Sequence, residues 1–176
     1  MGPLLLKSVA AVAAVAGLAF TSADDRLPEN AYGEDVLSSL TRMEVADHAT
    51  RVFARADRNS DLMLDVSEYA AFSVVTAELA HLNGFVAIET GGTPGLLALP
   101  IANPAAISRS EHIRIAAVSR HAFYAYAGID GRMDVEEFVG AQTTLFNAAD
   151  LNGNGTLKRK ELGLFGQRQA SMTTSA

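Results

Sequence analysis

Two stretches of the chain alternate oxygen-bearing side chains with other residues and close on a glutamate. The first reads Asp57-Arg58-Asn59-Ser60-Asp61-Leu62-Met63-Leu64-Asp65-Val66-Ser67-Glu68. The second reads Asp150-Leu151-Asn152-Gly153-Asn154-Gly155-Thr156-Leu157-Lys158-Arg159-Lys160-Glu161. This pattern suits a hard cation. Calcium takes about 6–8 oxygens at loose distances, and a short loop supplies them only if alternate residues turn inward. A bidentate carboxylate must then arrive from the start of the next helix. The bland alternative is a pair of polar turns between helices, since capping alone accounts for an aspartate such as Asp65 or Asp134. That alternative suits one imperfect loop better than the same alternation in two.

The pattern repeats. Phe53-Ala54-Arg55-Ala56-Asp57, Phe123-Tyr124-Ala125-Tyr126-Ala127 and Phe146-Asn147-Ala148-Ala149-Asp150 align as helix ends with an aromatic residue. Each is followed by a polar turn and then by Glu68, Glu137 or Glu161. Repetition of one helix-loop-helix unit is more specific than a single match. These residues resemble the EF-hand family, over roughly residues 34–82 and 112–165, and the general pattern is similar to small exported EF-hand proteins, bacterial ones included. The resemblance implies an all-α fold of helix-loop-helix units, with two intact loops and one degenerate loop. It implies two calcium ions. Their ligands would be Asp57, Asn59, Asp61, Met63 through its backbone carbonyl, Asp65 and Glu68 in the first loop. In the last loop they would be Asp150, Asn152, Asn154, Thr156 through its carbonyl, and Glu161.

The departures from the pattern have physical consequences. The sixth loop position needs positive φ and is expected to be glycine. Here it is Leu62, and a Cβ in that conformation costs about 1–2 kcal/mol. A slightly remodelled turn is the alternative. Four carboxylates attract an ion strongly, so binding is expected to survive. The last loop has Gly155 at that place and Leu157 facing the core, but carries Lys158 at the ninth position. Lysine cannot coordinate, its charge weakens the site, and a water must fill the vertex. Asn154-Gly155-Thr156 also matches a glycosylation sequon, which carries little weight inside a metal loop. In the middle segment, Asp130-Gly131-Arg132-Met133-Asp134 and Glu137 preserve the second half of a loop. Its first half, Tyr126-Ala127-Gly128, has no carboxylate, and one residue is missing. A structural, non-binding role beside a working unit is expected.

Helices must position these loops. Apolar residues at Val36, Leu37, Leu40, Met43, Ala46, Ala49, Val52, Phe53 and Ala56 have helical spacing over residues 34–56. A second helix is predicted over 66–82, with Tyr69, Phe72, Val75, Leu79 and Leu82 on one side and Asn83-Gly84 as its stop. Residues 85–106 hold Gly91, Gly92, Pro94, Gly95, Pro100 and Pro104 among apolar residues. They read as an irregular connection with Leu96, Leu97, Leu99 and Ile101 tucked against the core, the alternative being a partner-facing loop. The glycines do not form a phosphate loop, because no Gly-Lys-Ser/Thr follows. Ser108-Arg109-Ser110-Glu111 has the spacing of a capping box and opens a helix to about Ala127. Further helices are expected over 134–149 and 158–165. Residues 167–176 are read as a frayed polar tail.

Residues 1–23 read as a signal peptide. Lys7 gives the positive flank, 8–20 is uncharged and apolar, and Thr21-Ser22-Ala23 offers small residues for cleavage. The run is too short to span a bilayer, which needs about 20 residues; an uncleaved anchor is the competing reading. Myristoylation at Gly2 is disfavoured by Leu6. Residues 24–33 read as a flexible leader. The domain is then 34–166, secreted or periplasmic, with no membrane attachment after cleavage.

The chain of 176 residues is long enough for one domain with a hydrophobic core. It is 49% hydrophobic, 19% charged and carries a net charge of −6, which fits a globular protein and argues against nucleic-acid binding. There is no cysteine, which excludes disulfides and thiolate chemistry. His48, His81, His112 and His121 form no metal spacing, and no Gly-x-Ser-x-Gly or His-Glu-x-x-His motif occurs. No enzyme activity is expected. The leading expectation is a calcium-binding protein stabilised by its ions. The alternative is a calcium-dependent interaction module or sensor with an unidentified protein partner.

Overall fold

The computed structural model describes residues 36–91, 93–99 and 105–173. The expected signal peptide and leader, and Ile101, lie outside the described residues. Among the described residues, no helix is long and apolar enough to cross a membrane.

Among the described residues five helices form, and local chemistry explains where most of them start. Helix α1 (Arg42–Ala56) is capped by Thr41, whose Oγ1 accepts the Glu44 amide while Glu44 Oε2 accepts the Thr41 amide at 2.7 Å. The same reciprocal cap opens α2 (Val66–Asn83) with Asp65 and Glu68, α3 (Arg109–Tyr126) with Ser108 and Glu111, and α4 (Val135–Ala149) with Asp134 and Glu137. Each cap satisfies helix-start amides that have no partner within the helix. Helix α5 is Lys160–Thr173. Helix α2 stops at Gly84, at φ +73°, whose amide donates to the Ala80 carbonyl.

The fold is mixed rather than all-α: two small antiparallel sheets accompany the helices. Strand β1 (Ser39–Thr41) pairs with β4 (Thr156–Lys158), placing Leu40 opposite Leu157. Strands β2 (Phe85–Thr90) and β3 (Thr93–Ala98) form a hairpin where an irregular connection was expected. Its register sets Thr90 opposite Thr93, leaving a two-residue connection at 91–92. Gly-Gly between two apolar runs is a hairpin signal, which Pro94 and Gly95 obscured as apparent breakers. Proline is tolerated at a strand position where its missing N–H is not required.

Two other boundaries differ from the expectation. The predicted helix over 34–56 begins only at Arg42, because Thr41 caps it and Leu40 belongs to a strand. Val36 instead bridges Leu96, and the Leu37 amide donates to the Leu96 carbonyl at 3.0 Å. The last helix continues to Thr173, well past the expected end at Phe165 and into the expected tail. It is held against the hairpin so closely that a Cβ at Gly166 would lie 2.9 Å from the Ala98 carbonyl oxygen.

Two cores result. One gathers Ala49, Phe53, Ala56, Leu64, Tyr69, Phe123, Met133 and Phe138; Phe53 and Phe138 meet edge to face at 5.9 Å. The other gathers Leu40, Val45, Phe146, Ala149, Leu157, Leu162 and Phe165 with Ile88 and Leu97 of the hairpin. On α2 the core face is Tyr69, Ala70, Ala77 and Ala80, while Val75, Leu79 and Leu82 are exposed. Small alanines supply most of that face.

The hairpin docks on α1 through polar contacts. Arg51 Nη2 donates to the Glu89 carbonyl at 2.8 Å, and its Nε lies 3.0 Å from Glu89 Oε2. Arg55 also pairs with that carboxylate. The Glu89 amide donates to His48 Nδ1 at 3.2 Å. Burial of His48 pushes its pKa down to about 4, against the pull of the Glu89 carboxylate.

Candidate metal centre

The two loops fold on one hydrogen-bond template. In the first, the Asp57 amide ends α1 by donating to the Phe53 carbonyl. Asp57 Oδ1 accepts the amides of Ser60 at 2.7 Å and Asp61 at 3.3 Å, and Oδ2 accepts Leu62 N–H at 2.9 Å. Asn59 Oδ1 accepts the Asp61 amide, and Asp61 Oδ1 the Met63 amide. Glu68 reaches back from α2 so that Oε1 accepts Arg58 N–H at 3.0 Å and Asn59 N–H at 3.3 Å. The loop is closed from both ends by carboxylates, and Asp57 and Glu68 are both buried.

The last loop repeats most of these bonds at the same positions. The Asp150 amide donates to the Phe146 carbonyl. Asp150 Oδ1 accepts Asn154 N–H at 3.2 Å and Oδ2 accepts Gly155 N–H at 2.9 Å. Asn152 Oδ1 accepts the Asn154 amide, and Asn154 Oδ1 the Thr156 amide. Glu161, also buried, returns its Oε1 to the amides of Leu151 at 3.1 Å and Asn152 at 3.3 Å. Asn152 Nδ2 donates to the same oxygen at 2.7 Å.

The backbone follows the template too. Gly153 and Gly155 have φ of +69° and +74°. The first loop adopts the same left-handed turns with Ser60 at +61° and Leu62 at +66°. Leu62 thus keeps the expected conformation without remodelling the turn.

The sequence-predicted residues therefore divide by role. Asp57, Asn59, Asp61 and Glu68 are gathered by the amides of one loop, as are Asp150, Asn152, Asn154 and Glu161 by those of the other. Asp65 is the cap of α2, with Oδ1 accepting the amides of Ser67 and Glu68. Met63 and Thr156 enter through their amides in the bonds above, and Thr156 lies in β4 opposite Thr41. Among the described residues no three His, Cys, Asp or Glu side chains converge as a preformed metal cage. The last loop could not supply one, because its asparagines and a carbonyl provide most of its oxygens. In the first, the carboxylates turn to the loop amides. The donor sets fit calcium in chemistry, being all oxygen and carried on amide-ordered loops.

The middle segment sits beside the first loop. Leu64 and Met133 exchange two backbone hydrogen bonds at 2.8 and 3.0 Å. Ala127 ends α3 as Asp57 ends α1, through its amide and the Phe123 carbonyl. From Ala127 to Glu137 the chain is one residue shorter than from Asp57 to Glu68. No carboxylate stands at the first position.

Two features escaped the sequence reading. Leu40, Thr41 and Glu44 repeat the positions of Leu64, Asp65 and Glu68 in a cap and a strand pair, so β1 and α1 form the second half of a further unit. The loops consequently pair as first with middle and last with β1, so the two acidic loops are not strand partners. The clue was Leu-Thr-x-x-Glu at 40–44 in register with Leu-Asp-x-x-Glu at 64–68. The other feature is Arg132 of the middle loop, which forms an ion pair with Asp61. Partial desolvation raises the Asp61 pKa, but the Met63 amide and the Arg132 guanidinium outweigh it and hold it below the ordinary value. The chain matches no protein-family model, no curated protein and no solved structure.

Proposed function

We propose that this chain binds two calcium ions through loops of the EF-hand type, at residues 57–68 and 150–161. The shared template supports the reading: an opening aspartate and a closing glutamate bind the same loop amides in both stretches. The oxygens of Asp57, Asn59, Asp61, Asp65 and Glu68 would hold the first ion with the Met63 carbonyl. Those of Asp150, Asn152, Asn154 and Glu161 would hold the second with the Thr156 carbonyl, and water would fill the place next to Lys158. The ions neutralise carboxylates crowded into one turn and fix the angle between flanking helices. We assign no catalysis to the chain. The apolar run at 8–20, with small residues after it, supports export. Modules outside the cytosol commonly work at dissociation constants of about 10⁻⁴–10⁻³ M, a range that suits Leu62 and Lys158.

A second reading, a calcium-dependent interaction module, is favoured by the exposed Val75, Leu79 and Leu82 along α2. Calorimetric titration with calcium tests the first. The expected stoichiometry is two, with Asp57→Ala and Asp150→Ala each removing one site and leaving the other. Zero stoichiometry, or two sites that survive both substitutions, would overturn the assignment.

A further inference from the structure

The middle loop has lost its opening carboxylate, yet it still meets the first loop through a charged side chain. The paired backbone bonds between Leu64 and Met133 set the two loops side by side. Arg132 stands next to Met133, on a turn ordered by its own amide donating to Asp130 Oδ1 at 3.0 Å. From there its Nη2 donates to Asp61 Oδ2. The other Asp61 oxygen accepts the Met63 amide, so both oxygens of this ligand candidate already carry a donor. The corresponding residue of the last loop, Asn154, is neutral and bonds within its own loop.

We propose that Arg132 sets the calcium affinity of the first loop, as a tethered cation that competes with the ion for Asp61. This rests on the reading of residues 57–68 as a calcium site. A guanidinium and a divalent ion on one carboxylate repel each other, and each weakens the hold of the other. The middle loop therefore regulates its neighbour as well as packing against it. The two members of the pair are part-exposed, at 46% and 37% of their side-chain surface, so solvent limits the effect to about two- to fivefold in affinity.

Calcium titration of the full chain, wild type against Arg132→Gln and Arg132→Lys, tests this. The expected result is that Arg132→Gln tightens one of two binding constants about two- to fivefold, while Arg132→Lys leaves both close to wild type. In an Asp61→Asn background the gain from Arg132→Gln should vanish, because the pair is already broken. Unchanged constants in Arg132→Gln would overturn the proposal. So would a weaker first site, which would make Arg132 an aid to Asp61 orientation. If the wild-type chain binds no calcium at all, the calcium reading itself fails, and this proposal falls with it.

Discussion

Ser60 and Leu62 hold left-handed backbone where the last loop uses Gly153 and Gly155. For a residue with a Cβ this conformation costs about 1–2 kcal/mol. Leu62 is 76% exposed and so recovers little of that by burial. Leu62→Gly is therefore expected to tighten calcium binding at the first loop by up to about tenfold. Added freedom of the glycine chain offsets part of the gain. Calorimetry on the variant would show the change, and unchanged or weaker binding would refute it. Oxygen geometry should be untouched, because the Leu62 contact that orders Asp57 is made by its amide.

The elements are tied together by pairings that cross the sequence. Helix α1 joins the two cores, contributing Phe53 to one and Val45 to the other. It also carries the hairpin through Arg51, Arg55 and His48. The histidine makes that docking sensitive to acid. Folded, His48 stays neutral down to about pH 4; unfolded, it takes up a proton near its ordinary value of 6.5. Between these values protons bind the unfolded chain in preference, so stability falls as pH drops from 6.5 towards 4 and is fully present above 6.5. A protonated Nδ1 also cannot accept the Glu89 amide. Denaturant midpoints at pH 7 and pH 5 are expected to differ clearly in the wild type and less in His48→Gln. An equal difference in both would show that His48 is not responsible. Glu89, held below its ordinary value chiefly by the Arg55 hydrogen bond, acts in the same direction at lower pH.

For the whole molecule, the proposal distinguishes an ion that completes the fold from one that opens it. Ions that bind only the folded chain stabilise it by mass action, by about 2.7 kcal/mol for each site at a hundredfold excess over its dissociation constant. At about 2–4 °C for each kcal/mol in a chain of this size, one such site raises the melting temperature by about 5–10 °C. Weaker sites in millimolar calcium give correspondingly less. Thermal unfolding in chelator and in millimolar calcium, with a dye for exposed apolar surface, separates the readings. A rise in melting temperature without new dye binding is expected. Strong calcium-dependent dye binding would instead favour the interaction module.

What was legible in the sequence is what is local. The acidic turns, their glutamates, the capping box at Ser108, the helix caps at Asp65 and Asp134 and the glycine stop at Gly84 each depend on residues a few positions apart, and each stands where the spacing puts it. The sequence also shows that the middle turn has no carboxylate at the place of Asp57 and Asp150, where Ala127 stands. Strand structure at 85–98 is hidden in the sequence because proline and glycine are local breakers, while the pairing that outweighs them comes from the opposite strand. Residues 36–41 look helical by periodicity, but the partners of Leu40 and Val36 are Leu157 and Leu96. Which loops lie side by side was decided by the tertiary structure alone. So was the pairing of Arg132 with Asp61, 71 residues away. Such contacts depend on how helices stack around a shared core, and no short stretch of residue types encodes that.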